Sequence, residues 1–235
     1  MTSETPAPRP KLLAAESDEY RRLRNELLEA ETALKDQRER VAALRRSLPL
    51  GAPVPADYVF REGPADLADE SPGGLRDVRL SELFAPGKDE LIVIHLMFGA
   101  EDEKACPMCT MWADGYDAVA PHVGDKVNFV LVAKADVGKL RAWGRGRGWR
   151  HLRLLSSHDN HFNRDLQVES ATGGQKPAVS VFVRGAGGEI RHAYTTEAAL
   201  APGHHRGIDP FTPVWNLFDL LPSGRGSWMP RFSYP

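Results

Sequence analysis

Apolar residues recur at alternating steps of three and four along the N-terminal part of the chain. The seam positions are Tyr20, Leu23, Leu27, Ala30, Leu34, Gln37, Val41, Leu44 and Leu48. This heptad spacing predicts one long helix, with Ser17 as its N-cap and Pro49 just beyond its end. A helix with a single apolar seam buries it against its own domain or against a second copy of the chain. We therefore expect the helix either to pack on the rest of its own chain or to form a homodimer.

Downstream of the helix, apolar runs alternate with segments of helical character. Residues 90–98 and 127–132 are nearly continuous in apolar residues, as expected of strands buried on both faces of a sheet. The predicted strands cover residues 58–60, 90–98, 127–132, 152–155, 177–184 and 189–194, and the predicted helices cover 106–121, 136–145 and 213–221. Their order predicts an α/β fold with a mixed central sheet flanked by helices.

Shifts in composition divide the chain into four parts. Residues 1–16 are rich in Pro, Ser and Thr and are predicted to be a flexible N-terminus, and residues 17–48 form the heptad-patterned helix. Residues 49–75, with many Pro, Gly and Asp, are predicted to be a wrapping connection, and residues 76–235 one α/β domain.

Composition and charge argue against a disordered protein, a nucleic acid-binding protein and a membrane-spanning protein. The chain has 235 residues, of which 42% are hydrophobic and 26% charged, as is usual for a soluble globular protein. A formal charge of −2 gives no overall attraction to nucleic acid or to an anionic membrane. Because we find neither a signal peptide nor an apolar stretch of membrane-spanning length, we expect a cytoplasmic protein.

The only two cysteines, Cys106 and Cys109, lie in a Cys-Pro-Met-Cys motif shortly after the first buried strand. Thiols stay reduced in the cytoplasm, so a structural disulfide explains them poorly. If a helix begins here, Pro107 takes its first position, and free backbone N–H groups lower the pKa of the Cys106 thiol. Cys109 lies one turn further on the same face. We predict that Cys106 attacks a disulfide and that Cys109 resolves the intermediate.

Paired cysteines also occur as half of a zinc site, and this alternative stays open. The other two ligands would be His158 and His161, or His204 and His205. The separation in sequence between the cysteines and these histidines is far longer than in compact zinc modules. We therefore favour redox chemistry and expect neither a metal nor a bound cofactor.

Four other residues are candidates for the site. His95 lies on the strand leading into the motif, and strand alternation gives its side chain two possible facings. On one of them it faces Cys109 and relays the proton of this thiol, and on the other it is a core residue. Pro177, which opens a late strand, and Trp112 and Pro107, which adjoin the motif, are predicted to contact the substrate.

One basic run with interleaved aromatic residues, 139–153, has the composition of a phosphate or single-stranded nucleic acid site. The overall charge favours a simpler interpretation, in which a solvated helix face is followed by a Gly-rich turn. We expect no nucleic acid partner.

The strand, the Cys-Pro-Met-Cys motif and the late strand opened by Pro177 resemble the thioredoxin fold. More closely, the chain resembles a bacterial thioredoxin-like family, domain of unknown function 899, whose members are often labelled dithiol–disulfide oxidoreductases. The residues that carry this resemblance are Arg45–Pro49, His95–Gly99, Cys106–Cys109, Trp112, Asp114–Gly115, Gly148–Trp149, Ser156–Ser157, Phe162–Asn163, Ser180–Phe182, Arg206–Gly207 and Leu221–Arg225.

The resemblance implies roles for two of the candidate residues. His95 resembles, by position, the buried acid beneath the cysteines of thioredoxins. Pro177 resembles the cis-proline of the thioredoxin fold, which presents backbone to the substrate. The resemblance implies nothing about the basic run or about His204 and His205.

The sequence thus indicates a thiol–disulfide oxidoreductase acting on a disulfide-bearing protein or small molecule, with an unknown thiol electron donor. One alternative is a thiol peroxidase of the peroxiredoxin type, in which Cys106 passes through a sulfenic acid. The Thr-x-x-Cys environment usual in peroxiredoxins is absent, because Lys104 and Ala105 precede Cys106. The other alternative is a non-catalytic module that senses redox state or holds zinc.

Overall fold

The computed structural model of the protein describes residues 16–71, 73–197 and 207–235. The predicted flexible segment up to residue 15 and the pair His204 and His205 lie outside these ranges. The chain divides into two compact units at the Pro49–Leu50 bond. No helix in the described ranges is long and apolar enough to cross a bilayer.

The first unit contains one long helix, α1 (Asp18–Ser47), as predicted. The Ser17 side chain accepts a hydrogen bond from the Tyr20 backbone N–H at 3.1 Å. Asp18 and Glu19 lie in the first turn, where carboxylates favour the positive end of the helix dipole. No residue of α1 is buried.

The second unit is built on a seven-stranded sheet. The strands are β1 (Val59–Glu62), β2 (Arg76–Arg79), β3 (Glu90–Leu96), β4 (Asn128–Ala133), β5 (Arg153–Ser156), β6 (Ala178–Arg184) and β7 (Ile190–Glu197). They lie in the order β2-β1-β5-β4-β3-β6-β7. The strands β3, β4 and β5 are parallel, whereas β6, β7, β1 and β2 pair antiparallel. The predicted mixed sheet is confirmed.

The helices of this unit are α2 (Pro107–Lys126), α3 (Val137–Arg147), α4 (Phe162–Asp165) and α5 (Pro213–Phe218). The helix α2 connects β3 to the parallel strand β4, and α3 connects β4 to β5. The strand–helix–strand–helix order, followed by the antiparallel hairpin β6–β7, is the thioredoxin-like arrangement expected from the sequence.

Apolar side chains cover both faces of the sheet. Ile94 and Leu96 of β3 belong to one cluster, which includes residues of α2 and α3. Leu91 and Val93, which alternate with them, belong to a second cluster around Phe162. The strand β3 is therefore buried on both faces, as its continuous apolar run predicts.

The expectation that α2 ends near Pro121 is wrong, because the helix continues to Lys126. A proline inside a helix removes one N–H donor and crowds the carbonyl four residues earlier, here that of Asp117. The helix resumes its pattern afterwards, since the Val127 N–H bonds to the Val123 carbonyl at 3.0 Å. Burial of Ala120 and Val127 holds both sides of the proline to the core.

Candidate active site

The loop between β3 and α2 is fixed by backbone hydrogen bonds. The Cys106 N–H donates to the Met97 carbonyl at 2.9 Å, and the Ala135 N–H donates to the Phe98 carbonyl at 2.8 Å. The Asp102 carboxylate accepts from the Gly99 N–H at 2.7 Å. The motif is thereby held at the carboxyl end of β3, where ligands of open α/β sheets commonly bind.

Cys106 is the N-cap of α2, and Pro107 is its first residue. The Cys106 carbonyl accepts from both the backbone N–H and the hydroxyl of Thr110, each at 2.9 Å. The sulfur of Cys106 therefore lies at the open end of a 20-residue helix, where backbone N–H groups have no partner within the helix.

The two thiols are free, and their environments differ. A hydrogen bond from the Cys109 thiol lowers the pKa of Cys106 to about 6. Burial opposes this shift, and the backbone N–H groups of Cys109 and Met108 add to it. The same hydrogen bond, together with burial, raises the pKa of Cys109 above its ordinary value. At neutral pH the partly exposed Cys106 is a thiolate and the buried Cys109 a thiol that donates to it.

Cys109 shares its helix face with buried residues at helical spacing. Trp112 is 4% exposed and Tyr116 is 7% exposed, and both pack in the cluster that contains Cys109. The pKa of Tyr116 is raised, chiefly by burial and further by Cys109. The sequence reasoning did not single out Tyr116, although its separation of seven residues from Cys109 indicates the same helix face.

Three partly buried methionines lie in the motif or near it in sequence. Met97, Met108 and Met111 are each partly buried and pack on the same cluster as Cys106. Methionine side chains are flexible and apolar, and they adapt to irregular partners. The sequence reasoning missed this group, because the packing depends on the loop from β3 folding back onto α2.

The prediction that His95 faces Cys109 is wrong. The His95 ring stacks on Phe162, at a centroid distance of 5.8 Å, within the second cluster. Its Nε2 atom lies 2.9 Å from the Ser180 Oγ atom, and burial followed by the influence of His192 lowers the pKa of His95 to about 3. The sheet therefore separates a neutral His95 from Cys109, and His95 is a core residue.

The three residues predicted to contact substrate have different environments. Trp112 is buried, so the expectation that it flanks a substrate groove is wrong. The peptide bond before Pro177 is trans, and β6 begins one residue later, at Ala178, so the resemblance to a cis-proline is not borne out. Pro107 is exposed beside Cys106, and its contact with a substrate stays a prediction.

The basic run is tied into the fold by contacts within the chain. Arg145 pairs with Glu70, Arg147 pairs with Asp114 at 2.6 Å, and Lys139 donates to the carbonyls of Ala100 and Asp102. Trp149 and Trp143 pack on the core. The run is therefore a set of structural contacts around α3, although some of its arginines converge elsewhere, as described below.

The described part of the chain contains no set of ligands for the zinc alternative. No group of three or more His, Cys, Asp or Glu side chains lies close enough together there to hold a metal ion. His158 is hydrogen-bonded to the Lys134 carbonyl at 3.3 Å, and His161 is exposed at the start of α4.

Comparison with known proteins identifies the family. A family model described as "Bacterial protein of unknown function (DUF899)" matches residues 10–233. The chain belongs to this family. The match agrees with the resemblance drawn from the motif and its surrounding residues. No curated protein sequence matches the chain.

Several solved structures of peroxiredoxins overlap the chain in part. Reduced Prx3 from Vibrio vulnificus in complex with H2O2 is 17% identical, with a TM-score of 0.43, over 65% of this chain and 89% of that chain. A cysteine mutant of peroxiredoxin Q from Xanthomonas campestris is 15% identical, with a TM-score of 0.46, over 68% and 90%. A mutant of PrxQ from Xylella fastidiosa is 11% identical, with a TM-score of 0.46, over 71% and 95%.

Proposed function

We propose that this member of the family is a thiol–disulfide oxidoreductase in which Cys106 is the attacking thiol and Cys109 the resolving thiol. The observation that carries the proposal is the opposite pKa shift of two thiols one helical turn apart. A partly exposed thiolate next to a buried, protonated thiol is the arrangement that disulfide exchange requires.

The exchange proceeds in two displacement steps. The Cys106 thiolate attacks one sulfur of the substrate disulfide, forming a mixed disulfide and releasing the other sulfur as a thiolate. Cys109 then gives up its proton to solvent or to the released thiolate, attacks the Cys106 sulfur and releases the second substrate thiolate. Two electrons pass to the substrate, and the Cys106–Cys109 disulfide that remains is reduced by an external thiol donor.

The surface around Cys106 suits a polypeptide substrate. Pro107 is exposed and Met97, Met108 and Met111 are partly so, which gives an apolar and adaptable contact surface beside the nucleophile. A protein disulfide flanked by apolar residues would bury this surface during attack, whereas a small disulfide would leave most of it in water.

Peroxide reduction is the enzymatic alternative, because a thiolate next to a resolving thiol also suits it. The Thr110 hydroxyl, the one nearest to Cys106 in sequence, donates to the Cys106 carbonyl and not to its sulfur. The donors that reach the sulfur come from Cys109 and Met108. These donors stabilise a thiolate in general and do not select a peroxide.

The test compares single cysteine variants with an oxidised peptide as substrate. Cys106→Ser should abolish disulfide reduction, and Cys109→Ser should accumulate a mixed disulfide through Cys106, seen by mass spectrometry as a covalent adduct. Hydrogen peroxide consumption is measured in parallel, and metal content is determined on the purified protein. Equal peptide reduction by Cys106→Ser and the unaltered protein would end the proposal, and so would turnover of peroxide alone.

A further inference from the structure

A cavity of about 240 Å³ lies beside β1 and the beginning of β5. Its charged lining residues are Glu62 of β1, Arg76 of β2, Arg141 of α3, and Arg150 and Arg153 around the start of β5. We call this cavity the arginine pocket. Three of its four arginines come from the basic run 139–153, whose other members are engaged in contacts elsewhere in the fold.

The charges of the arginine pocket do not balance. Glu62 is 3% exposed, and its carboxylate is 2.8 Å from the Arg76 Nε atom and 2.8 Å from the Arg153 Nε atom. One carboxylate thus faces two arginines that touch it and two more, Arg141 and Arg150, across the same cavity. The lining carries four positive charges and one negative charge.

Arg141 makes the imbalance costly, because it is only 5% exposed. Its guanidinium donates to the carbonyl oxygens of Pro64 at 2.6 Å and of Asp66 and Asp69 at 2.9 Å. Within the described residues, no carboxylate forms an ion pair with it, and nearby acidic side chains act on it only from a distance. Buried charges are ordinarily paired with an opposite charge, and carbonyl dipoles supply only part of that compensation.

We propose that the arginine pocket binds a small phosphate dianion, either free or as the head of a phosphate monoester. An excess of three positive charges suits a dianion. Arg76 and Arg153 donate to Glu62 and Arg141 donates to carbonyls, so Arg150 is the arginine that can present paired N–H donors to phosphate oxygens. The cavity has room for one phosphate group with a short organic substituent.

The arginine pocket is separate from the cysteines. Arg153 is the first residue of β5 and is paired with Val130 of β4, which is paired in turn with Val93 of β3. No residue of the motif lines the pocket, and the Cys106 N–H is bonded to the Met97 carbonyl, beyond the carboxyl end of β3. Occupation of the pocket leaves Cys106 open to substrate, so this inference stands independently of the proposed function.

The test is calorimetric titration of the full chain with inorganic phosphate and, separately, with glycerol phosphate, in a buffer of matched ionic strength. We expect saturable binding of at least one of these anions at one site per chain, with the tighter of the two identifying the source of the phosphate. Arg150→Gln should weaken binding at least fivefold, because it removes one of the positive charges that line the pocket. The variant should fold normally, because Arg150 is exposed and forms no ion pair among the described residues.

Arg46→Gln is the matched control, since it removes the same charge from α1 and should leave the dissociation constant within twofold. Thermal unfolding of both variants verifies that they are folded. Absence of saturable binding by the unaltered protein would overturn the proposal. Equal weakening by Arg150→Gln and Arg46→Gln would also overturn it, because a general charge effect would then explain the affinity.

A second inference concerns α1 and rests on different observations. The heptad seam of α1 is open to solvent, with Leu23 47%, Leu27 50%, Leu34 56% and Leu44 56% exposed. The charges of α1 are segregated along its length. Residues 18–31 carry five acidic and three basic side chains, and residues 32–47 carry two acidic and five basic ones.

The geometry points to a second copy of this chain as the partner, with the two α1 helices antiparallel. In that orientation the acidic half of each helix lies along the basic half of its mate, whereas a parallel pair would align like charges. Either orientation is two-fold symmetric, as most homodimers are, so the charges decide between them. The seam leucines of both helices are then buried between them.

Sedimentation of the full chain should show a dimer. The double variant Leu27→Gln, Leu34→Gln should sediment as a monomer while keeping its helical circular dichroism. Ala43→Gln, at an exposed position off the seam, is the control and should remain dimeric. A monomeric unaltered protein would overturn the proposal.

Orientation is measured with a spin label on Arg22→Cys, in a protein in which both native cysteines are serines. At a rise of about 1.5 Å per residue, antiparallel helices place the two labels roughly 30–35 Å apart, whereas parallel helices place them on the order of 10–15 Å apart. A short distance would overturn the antiparallel arrangement.

Discussion

Two thiols in one motif acquire opposite character because of where each sulfur lies. Cys106 caps α2 and receives donors from the backbone and from Cys109, so its thiolate is favoured. Cys109 is 4% exposed and faces Trp112 and Tyr116, so its charged form is disfavoured. The proposed order of attack rests on this difference in environment, since the two side chains are chemically identical.

The pH dependence of alkylation tests this difference directly. Because the pKa of Cys106 is lowered to about 6, the rate of its reaction with iodoacetamide should rise through a midpoint near that pH. A free thiol would titrate near ~8.5. Cys109→Ala removes the donor thiol and should move the midpoint upward, whereas Cys109→Ser keeps a hydroxyl donor and should move it less. An unchanged midpoint in Cys109→Ala would contradict the assigned cause.

The facing of His95 shows where sequence reasoning stops. Strand alternation leaves two facings, and an exposed polar face usually decides between them. On β3 both faces are buried, so the pattern of apolar residues carries no such asymmetry. The outcome depends on Ser180 of β6, which lies on the side of Phe162 and provides the hydrogen-bond partner of His95.

His95→Ala should therefore affect stability and leave the thiol chemistry intact. Removing a ring that is packed on Phe162 and bonded to Ser180 should cost about 2–4 kcal/mol in the free energy of unfolding, measured by denaturant. The rate of resolution by Cys109 should be unchanged. His95→Gln, which keeps a polar partner for Ser180, covers the case in which the alanine variant does not fold. Slower resolution in a fully folded His95→Gln would restore the relay hypothesis.

The elements of the sheet differ in how far the sequence predicts them. The strands β3 and β4, and the hairpin β6–β7, are long enough for their apolar pattern to predict them. The strand β2, with the sequence Arg76-Asp77-Val78-Arg79, has one buried side chain and no readable pattern. It forms because β1 lies beside it, and the ion pairs of Glu62 with Arg76 and Arg153 connect β2, β1 and β5.

Glu62→Gln tests the strength of this connection. Although burial raises the pKa of Glu62, hydrogen bonds and charge from Arg153 and Arg76 lower it overall, below its usual range. Neutralising a buried partner of two arginines should cost about 2–4 kcal/mol in the free energy of unfolding at pH 7. Asp77→Asn breaks the exposed pair with Arg61 and should cost at most about 1 kcal/mol.

The difference between Glu62→Gln and the unaltered protein should also depend on pH. A carboxylate whose pKa is lower in the folded chain stabilises the fold fully above the unfolded value of ~4.3. That contribution is lost as the pH falls through the folded value. Denaturation curves of the two proteins should therefore converge in acid, and a constant difference down to pH 2 would contradict the assigned role.

Over the whole molecule, the sequence predicts the local surroundings of the cysteines better than it predicts contacts between distant elements. The N-cap position of Cys106 and the turn to Cys109 follow from neighbouring residues, so sequence alone predicts them. The environments of His95 and Trp112 and the convergence of Arg76 with the basic run depend on how separate elements pack, and no single stretch of sequence encodes that packing.

The reduction potential of the cysteine pair determines whether the whole protein acts as a reductant or as an oxidant. Stabilising the Cys106 thiolate stabilises the reduced protein relative to its disulfide, which makes the pair more oxidising. With a pKa of about 6 for Cys106, between those of thioredoxin and DsbA, we expect a standard potential between about −270 and about −120 mV, measured by equilibration with glutathione.

The pH dependence of that potential gives a sharper test. Below the pKa of Cys106 two protons accompany two electrons, so the potential should fall by about 59 mV per pH unit. Above it, Cys106 is already ionised while the raised pKa keeps Cys109 protonated, so only one proton is taken up and the slope should halve to about 30 mV. A break near pH 6 is the expected result. A single slope of about 59 mV up to pH 8 would mean that the thiolate at the end of α2 is not stabilised, and the proposed order of attack would lose its physical basis.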